Sequence, residues 1–114
     1  MVVVEVIRAS GGEVTEFQAQ GHAGYDDRGQ DIVCAAVSVL TQATANGLIC
    51  HAKVDPEIHV NDDTGFLHCR IDPEKLRGEA GLKAQAILET MVTGLIEMAK
   101  IYSDHIEVKE VVRS

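Results

Sequence analysis

The sequence predicts an α+β fold: one two-layer domain over residues 1–114, with elements in the order ββαββαβ and a mainly antiparallel sheet packed against two helices. Three observations carry that expectation. Two pairs of segments alternate apolar and polar residues across glycine-containing turns; each pair is followed by a stretch whose apolar residues recur at helical spacing; and one further alternating segment closes the chain.

The first pair is predicted by the β-branched density from Val2 to Ala9, the turn Ser10-Gly11-Gly12-Glu13, and residues 14–21, where Phe17 and Ala19 alternate with Glu16, Gln18 and Gln20. From His22 to Gln30 periodicity vanishes among glycines and charges, which predicts an exposed loop. Asp31 is then placed to cap a helix reaching Leu48. At 100° per residue, Val33, Val37, Leu40, Thr44 and Leu48 form its core-facing stripe, and Cys34, Ser38, Thr41 and Ala45 a strip of small residues at the core edge. A third apolar side, Ile32, Ala36, Val39 and Ala43, predicts burial against a second helix or a partner subunit, hence a homodimer.

The second pair comprises the run with Ile58 and Val60, the turn Asn61-Asp62-Asp63-Thr64-Gly65, and Phe66 to Ile71. A polar connection through Gly78 and Gly81 leads to an amphipathic helix with Ala84, Leu88, Met91, Val92, Leu95 and Ala99 inside and Lys83, Glu89, Thr93, Glu97 and Lys100 outside. The last strand spans residues 106–112. The two β-β-helix units match in length without a residue-level repeat.

Composition narrows the function. The 114 residues are 46% hydrophobic and 25% charged, the balance of a folded soluble chain. A formal charge of −8 without tryptophan argues against nucleic acid as partner and suits a basic protein instead. No uninterrupted apolar run approaches the ~18 residues a membrane span needs, and Met1 leads into Val-Val-Val-Glu rather than a basic leader, so a cytoplasmic location without membrane contact is expected. The cysteines, Cys34, Cys50 and Cys69, are three in number and lack CxxC spacing, so free thiols are expected.

Chemistry concentrates around the loop. Cys34 falls in the first helical turn, where unpaired N–H groups and the helix dipole favour a thiolate and are available to an oxyanion. His22 ends the second strand, and the 11 residues between it and Cys34 allow its imidazole to return to the helix start as a general base. Asp31 reads as the N-cap, with orientation of His22 as a lesser role, and Ser38 lies one turn beyond Cys34. A cysteine within Ile-Val-Cys-Ala-Ala-Val also suits plain burial, and spacing alone leaves both readings open.

The segments Gly21-His22-Ala23-Gly24-Tyr25 and Gly29-Gln30-Asp31-Ile32-Val33-Cys34-Ala35-Ala36-Val37-Ser38 closely resemble the signature of the bacterial ribosomal-processing cysteine protease family, Prp. The resemblance implies that His22 and Cys34 are the catalytic pair, that Asp31 and Ser38 support it, and that Gly21, Ala23, Gly24, Tyr25 and Gly29 belong to a substrate-binding or lid loop. It further implies a homodimer, acting without cofactor or metal, that removes a short N-terminal extension from a precursor of a large-subunit ribosomal protein by cutting after an aromatic residue. Asp26 and Asp27 make this loop more acidic than the family pattern.

Two other readings compete. One is a non-enzymatic dimeric module that binds a basic ribosomal protein and merely buries Cys34. The other is a metal site from Cys50-His51, His59 and His68-Cys69, which is disfavoured because neighbours along a strand point to opposite faces.

Overall fold

The structure is a computed structural model that describes residues 1–27 and 29–113; Arg28, inside the predicted loop, and Ser114 lie outside the described residues. Strands β1 (Val2–Arg8) and β2 (Val14–Gln20) precede helix α1 (Ile32–Gly47), which runs on into a π-helical turn at Leu48–Ala52. Strands β3 (Glu57–Asn61) and β4 (Phe66–Arg70), helix α2 (Gly78–Ile101) and strand β5 (Ile106–Val112) complete the chain.

The sheet order is β3-β4-β2-β1-β5. Three neighbouring pairs are antiparallel, and β5 alone lies parallel to its neighbour β1. The parallel pair follows from connectivity, because a strand reached through a crossover helix enters the sheet in the direction of the strand it joins. One face of the sheet is apolar: Val2, Val4 and Val6, Phe17 and Ala19, Leu67 and Cys69, and Ile106 are all buried there. Val6 pairs with Phe17 and Phe17 with Cys69, so the core is continuous across three strands. Both helices close over it with Val33, Val37, Ala45 and Leu48, and with Ala84, Leu88, Met91, Val92 and Leu95.

The predicted orientation of α1 is corrected by a rotation. Thr41 and Ala45, placed at the core edge by the wheel, are buried, whereas Leu40, placed on the core stripe, is only half-buried and packs at Gly94 of α2. Small residues let α1 approach the sheet closely, and the buried hydroxyls of Thr41 and Thr44 are satisfied within the helix by the carbonyls of Val37 and Leu40 at 2.8 and 2.7 Å. The helix α2 starts at Gly78 rather than beyond Gly81. Ile32 and Val39 stay 55% and 68% exposed, so α2 does not cover the third side of α1.

Residues 32–52 are long and apolar enough, by length and composition alone, to cross a membrane. Val33, Val37, Thr41, Thr44, Ala45 and Leu48 bury one side of that helix on the sheet, the place of a core helix.

Candidate active site

The site lies where the end of β2, the start of α1 and the β3–β4 turn converge. At the end of β2 the chain turns away through Gly21, whose φ of +97° and approach to the Met1 carbonyl, 2.5 Å from where a Cβ would sit, admit only glycine. His22 follows on the surface, and Ala23 is buried. The loop is then held from two directions. On one side His105 donates from Nδ1 to the Ala23 carbonyl at 3.0 Å, and the Tyr25 ring makes edge contacts with Tyr102 at 5.6 Å and His105 at 5.3 Å. On the other, Oδ2 of Asp31 accepts from the backbone N–H of Tyr25 at 2.9 Å and of Asp26 at 3.3 Å.

The second oxygen of Asp31 caps α1, accepting from the N–H groups of Val33 at 3.0 Å and Cys34 at 2.9 Å. Asp31 is only 7% exposed. Burial opposes its ionisation, but hydrogen bonds from the backbone of Cys34, Tyr25 and Asp26 and from the Cys34 side chain outweigh it and hold the carboxyl below the ordinary range. The same bonds correct one expectation. With the Ala35 N–H donating to the Asp31 carbonyl at 3.0 Å, the N–H groups of residues 33, 34 and 35 are all engaged and are not open to an oxyanion.

Cys34 is half-buried, and its Sγ accepts from the backbone N–H of Ala23 at 3.1 Å. His22 and Cys34 line one cleft of about 120 Å³, together with Val37, Ser38, Thr41, Val60, Phe66 and Leu67. A wider, adjoining hollow of about 580 Å³ carries Gly24, Asp26, Gly29, Asp31, Ser38 and Asp63. No hydrogen bond joins His22 to Cys34, or Ser38 to the sulfur, among the described residues. His22 instead donates from Nε2 to the backbone carbonyl of Asp63 at 3.3 Å, since a carbonyl can only accept.

Three contributors escaped sequence reasoning: Asp63, Tyr102 and His105 lie 41 or more positions from the loop residues they meet, and no local pattern marks such encounters. The other cysteines are separate from the cleft. Cys50 is exposed on the π-helical turn, while Cys69 is buried in the core, where desolvation pushes its thiol up to about 12. Its neighbour His68 points to the opposite face of the sheet, stacked on His59 and bonded to Glu16 at 2.6 Å. No cluster of three metal-ligating side chains occurs among the described residues.

A thiol and an imidazole share one cleft of this α+β fold, the pair of groups that cysteine proteases use. The family model for the cysteine protease Prp matches residues 1–107. A ribosomal processing cysteine protease Prp from Bacillus subtilis is 31% identical over 108 residues, covering 95% of this chain and 96% of that protein. The crystal structure of Prp from S. aureus with a covalently linked product peptide superposes with a TM-score of 0.84 at 29% identity, over 96% of this chain and 99% of that one. A structure of S. aureus Prp with a substrate peptide gives 0.80 at 28% identity, over the same shares of the two chains. The chain belongs to the Prp family of cysteine proteases.

Proposed function

We propose that the protein removes a short N-terminal extension from the precursor of a large-subunit ribosomal protein, with Cys34 as nucleophile and His22 as its base. The observation that carries this reading is Cys34 Sγ in a cleft shared with His22, already accepting a hydrogen bond from the Ala23 N–H. The Ala23 N–H is the donor that holds the sulfur once His22 has taken its proton, since the N–H groups at the start of α1 are already engaged by Asp31.

In the reaction, His22 takes the Cys34 proton and sulfur attacks the scissile carbonyl carbon, moving the carbonyl electron pair onto oxygen. The first-turn N–H groups are engaged by Asp31, so the Ala23 N–H passes from sulfur to this oxyanion as the S–C bond forms. The His22 imidazolium protonates the leaving amine and the C–N bond breaks. Water, deprotonated by His22, then releases the acyl group and restores the thiol.

The cleft is of mixed lining, and its apolar part, Val37, Val60, Phe66 and Leu67, suits an aromatic residue before the cut, with a volume of 120 Å³ that approaches the ~150 Å³ that holds a benzene ring. Gly21, Ala23, Gly24, Tyr25 and Gly29 form the loop that closes over substrate, with Asp31 as its anchor and Ser38 at the lip. The charge of −8 attracts a basic precursor, and a protease for such precursors works in the cytoplasm, where ribosomes are built. The uncovered side of α1 with Ala36, Val39 and Ala43, beside Gly94 and Met98 of α2, forms an apolar hollow that a second copy of the chain fills.

The test is cleavage of a fluorogenic peptide copied from the extension by wild type, Cys34→Ala and His22→Ala. Cleavage by wild type alone, with all three folded, supports the proposal; cleavage by either variant at the wild-type rate refutes the pair.

A further inference from the structure

Several features lie outside the mechanism: the His59–His68–Glu16 group on the outer sheet face, the apolar hollow on α1, and the turn between β3 and β4. The turn carries an inference furthest, because it touches His22 through two independent contacts.

The first contact is polar. The Asp63 carbonyl accepts from His22 Nε2 at 3.3 Å. A neutral imidazole that donates from Nε2 has its lone pair on Nδ1. The second is steric. Gly65 has φ +64°, and a Cβ built there would lie 3.0 Å from Cε1 of the His22 ring and 2.5 Å from the Gly21 carbonyl oxygen. The turn therefore abuts the histidine and the residue before it, with no room for a side chain.

The turn is also braced from within. Asn61 Oδ1 accepts from the Asp63 N–H at 3.1 Å, Thr64 Oγ1 donates to the Asn61 carbonyl at 3.4 Å, and the Gly65 N–H donates to the Asp62 carbonyl at 3.3 Å. These bonds direct the Asp63 carbonyl at the histidine before any substrate arrives.

We propose that the β3–β4 turn is the orienting element for His22: the Asp63 carbonyl selects the Nε2–H tautomer, leaving Nδ1 as the base, and Gly65 permits the approach. A backbone carbonyl thereby fills the role that an Asp or Asn side chain takes in other triads. When Nδ1 removes the Cys34 proton, both ring nitrogens carry hydrogen, and the carbonyl dipole stabilises the resulting imidazolium. Asp63 and Gly65 are positioning residues, acting through His22. The inference rests on His22 being the base.

The experiment compares Gly65→Ala with Gly78→Ala. Gly78 shares φ +64° but has open space where its Cβ would sit, so Gly78→Ala carries the backbone strain without the clash. The readouts are ¹⁵N shifts of the His22 ring, thermal stability, and kcat and KM on the extension peptide. Wild type is expected to show the Nε2–H tautomer. Gly65→Ala is expected to lose that preference and about 100-fold in kcat, with KM within about twofold, while Gly78→Ala keeps wild-type tautomer and kcat. A wild-type Nδ1–H tautomer overturns the proposal, and this reading stands even if Gly65→Ala does not fold. Gly65→Ala with wild-type tautomer and kcat overturns it as well. Full activity in His22→Ala sinks the base assignment instead, which separates the two failures.

Discussion

The carboxylate of Asp31 and the backbone N–H of Cys34 are joined at 2.9 Å, and the other oxygen of the same carboxylate holds the loop at Tyr25. One side chain thus sets both the start of the helix that carries the sulfur and the path of the loop above it.

Asp31→Asn keeps one capping oxygen, since Asn caps a helix about as well as Asp, but it removes the charge at the helix start and places an NH2 where the second oxygen accepted, so cap and loop can no longer both be held, at a cost of about 1 kcal/mol. The pH dependence has a defined sign. Because the folded carboxyl titrates below its unfolded value, its stabilisation is present above the unfolded pKa of ~3.9 and disappears as pH falls through the folded value. Urea unfolding of wild type and Asp31→Asn from neutral to acid pH should show the two converging below about pH 4; a gap independent of pH would contradict the ionised cap.

Arg8 ties three elements together, bonding Glu89 of α2 through two nitrogens at 2.8 Å and Glu110 of β5 at 2.9 Å. Its hydrogen bonds hold the Glu89 carboxyl below the ordinary range, so this contribution too fades as pH falls. Glu89 and Glu110 are 47% and 44% exposed, so screening limits the expected cost of Arg8→Ala to about 1 kcal/mol. The difference from wild type should shrink in 1 M salt, measured by denaturant midpoint.

Gln85 acts as a spare strand for the start of β2. Its amide accepts from the Val14 N–H and donates to the Val14 carbonyl, both at 2.8 Å. Gln85→Leu leaves both buried backbone groups unpaired and should cost about 1–3 kcal/mol. Amide exchange at Val14 should accelerate in the variant, and unchanged protection there would count against this role.

The thiols should separate under alkylation. In the native protein iodoacetamide is expected to modify Cys34 and Cys50 and to spare Cys69, whose burial keeps it a thiol up to about pH 12. Mass spectrometry of the native and the urea-unfolded protein reads this directly, with Cys69 labelled only in the latter.

Light scattering at micromolar concentration should return twice the mass of the chain, and Val39→Glu, on the uncovered side of α1, should return the monomer. A monomeric wild type would remove the second copy from the proposal.

Legibility in the sequence followed the range of the interactions. The strands could be read from period-two alternation, as in Phe17 and Ala19, and the start of α1 from Asp31 ahead of an apolar run, because pleat and helix cap are decided within a few residues. The candidate pair His22 and Cys34 could be named from its motif. The rotation of α1 that buries Thr41 and turns Leu40 toward Gly94 could not, because a wheel ranks residues by polarity while packing selects those small enough for close approach.

By itself, then, the sequence determined the elements and their order, which depend on local pattern, and it named His22 and Cys34 as candidates through their motif. Only the tertiary structure decided that β5 pairs with β1, that His105 and Tyr102 hold the loop, and that the Asp63 carbonyl meets His22. Those contacts join segments distant along the chain, and they exist only once burial of the common core has brought the segments together.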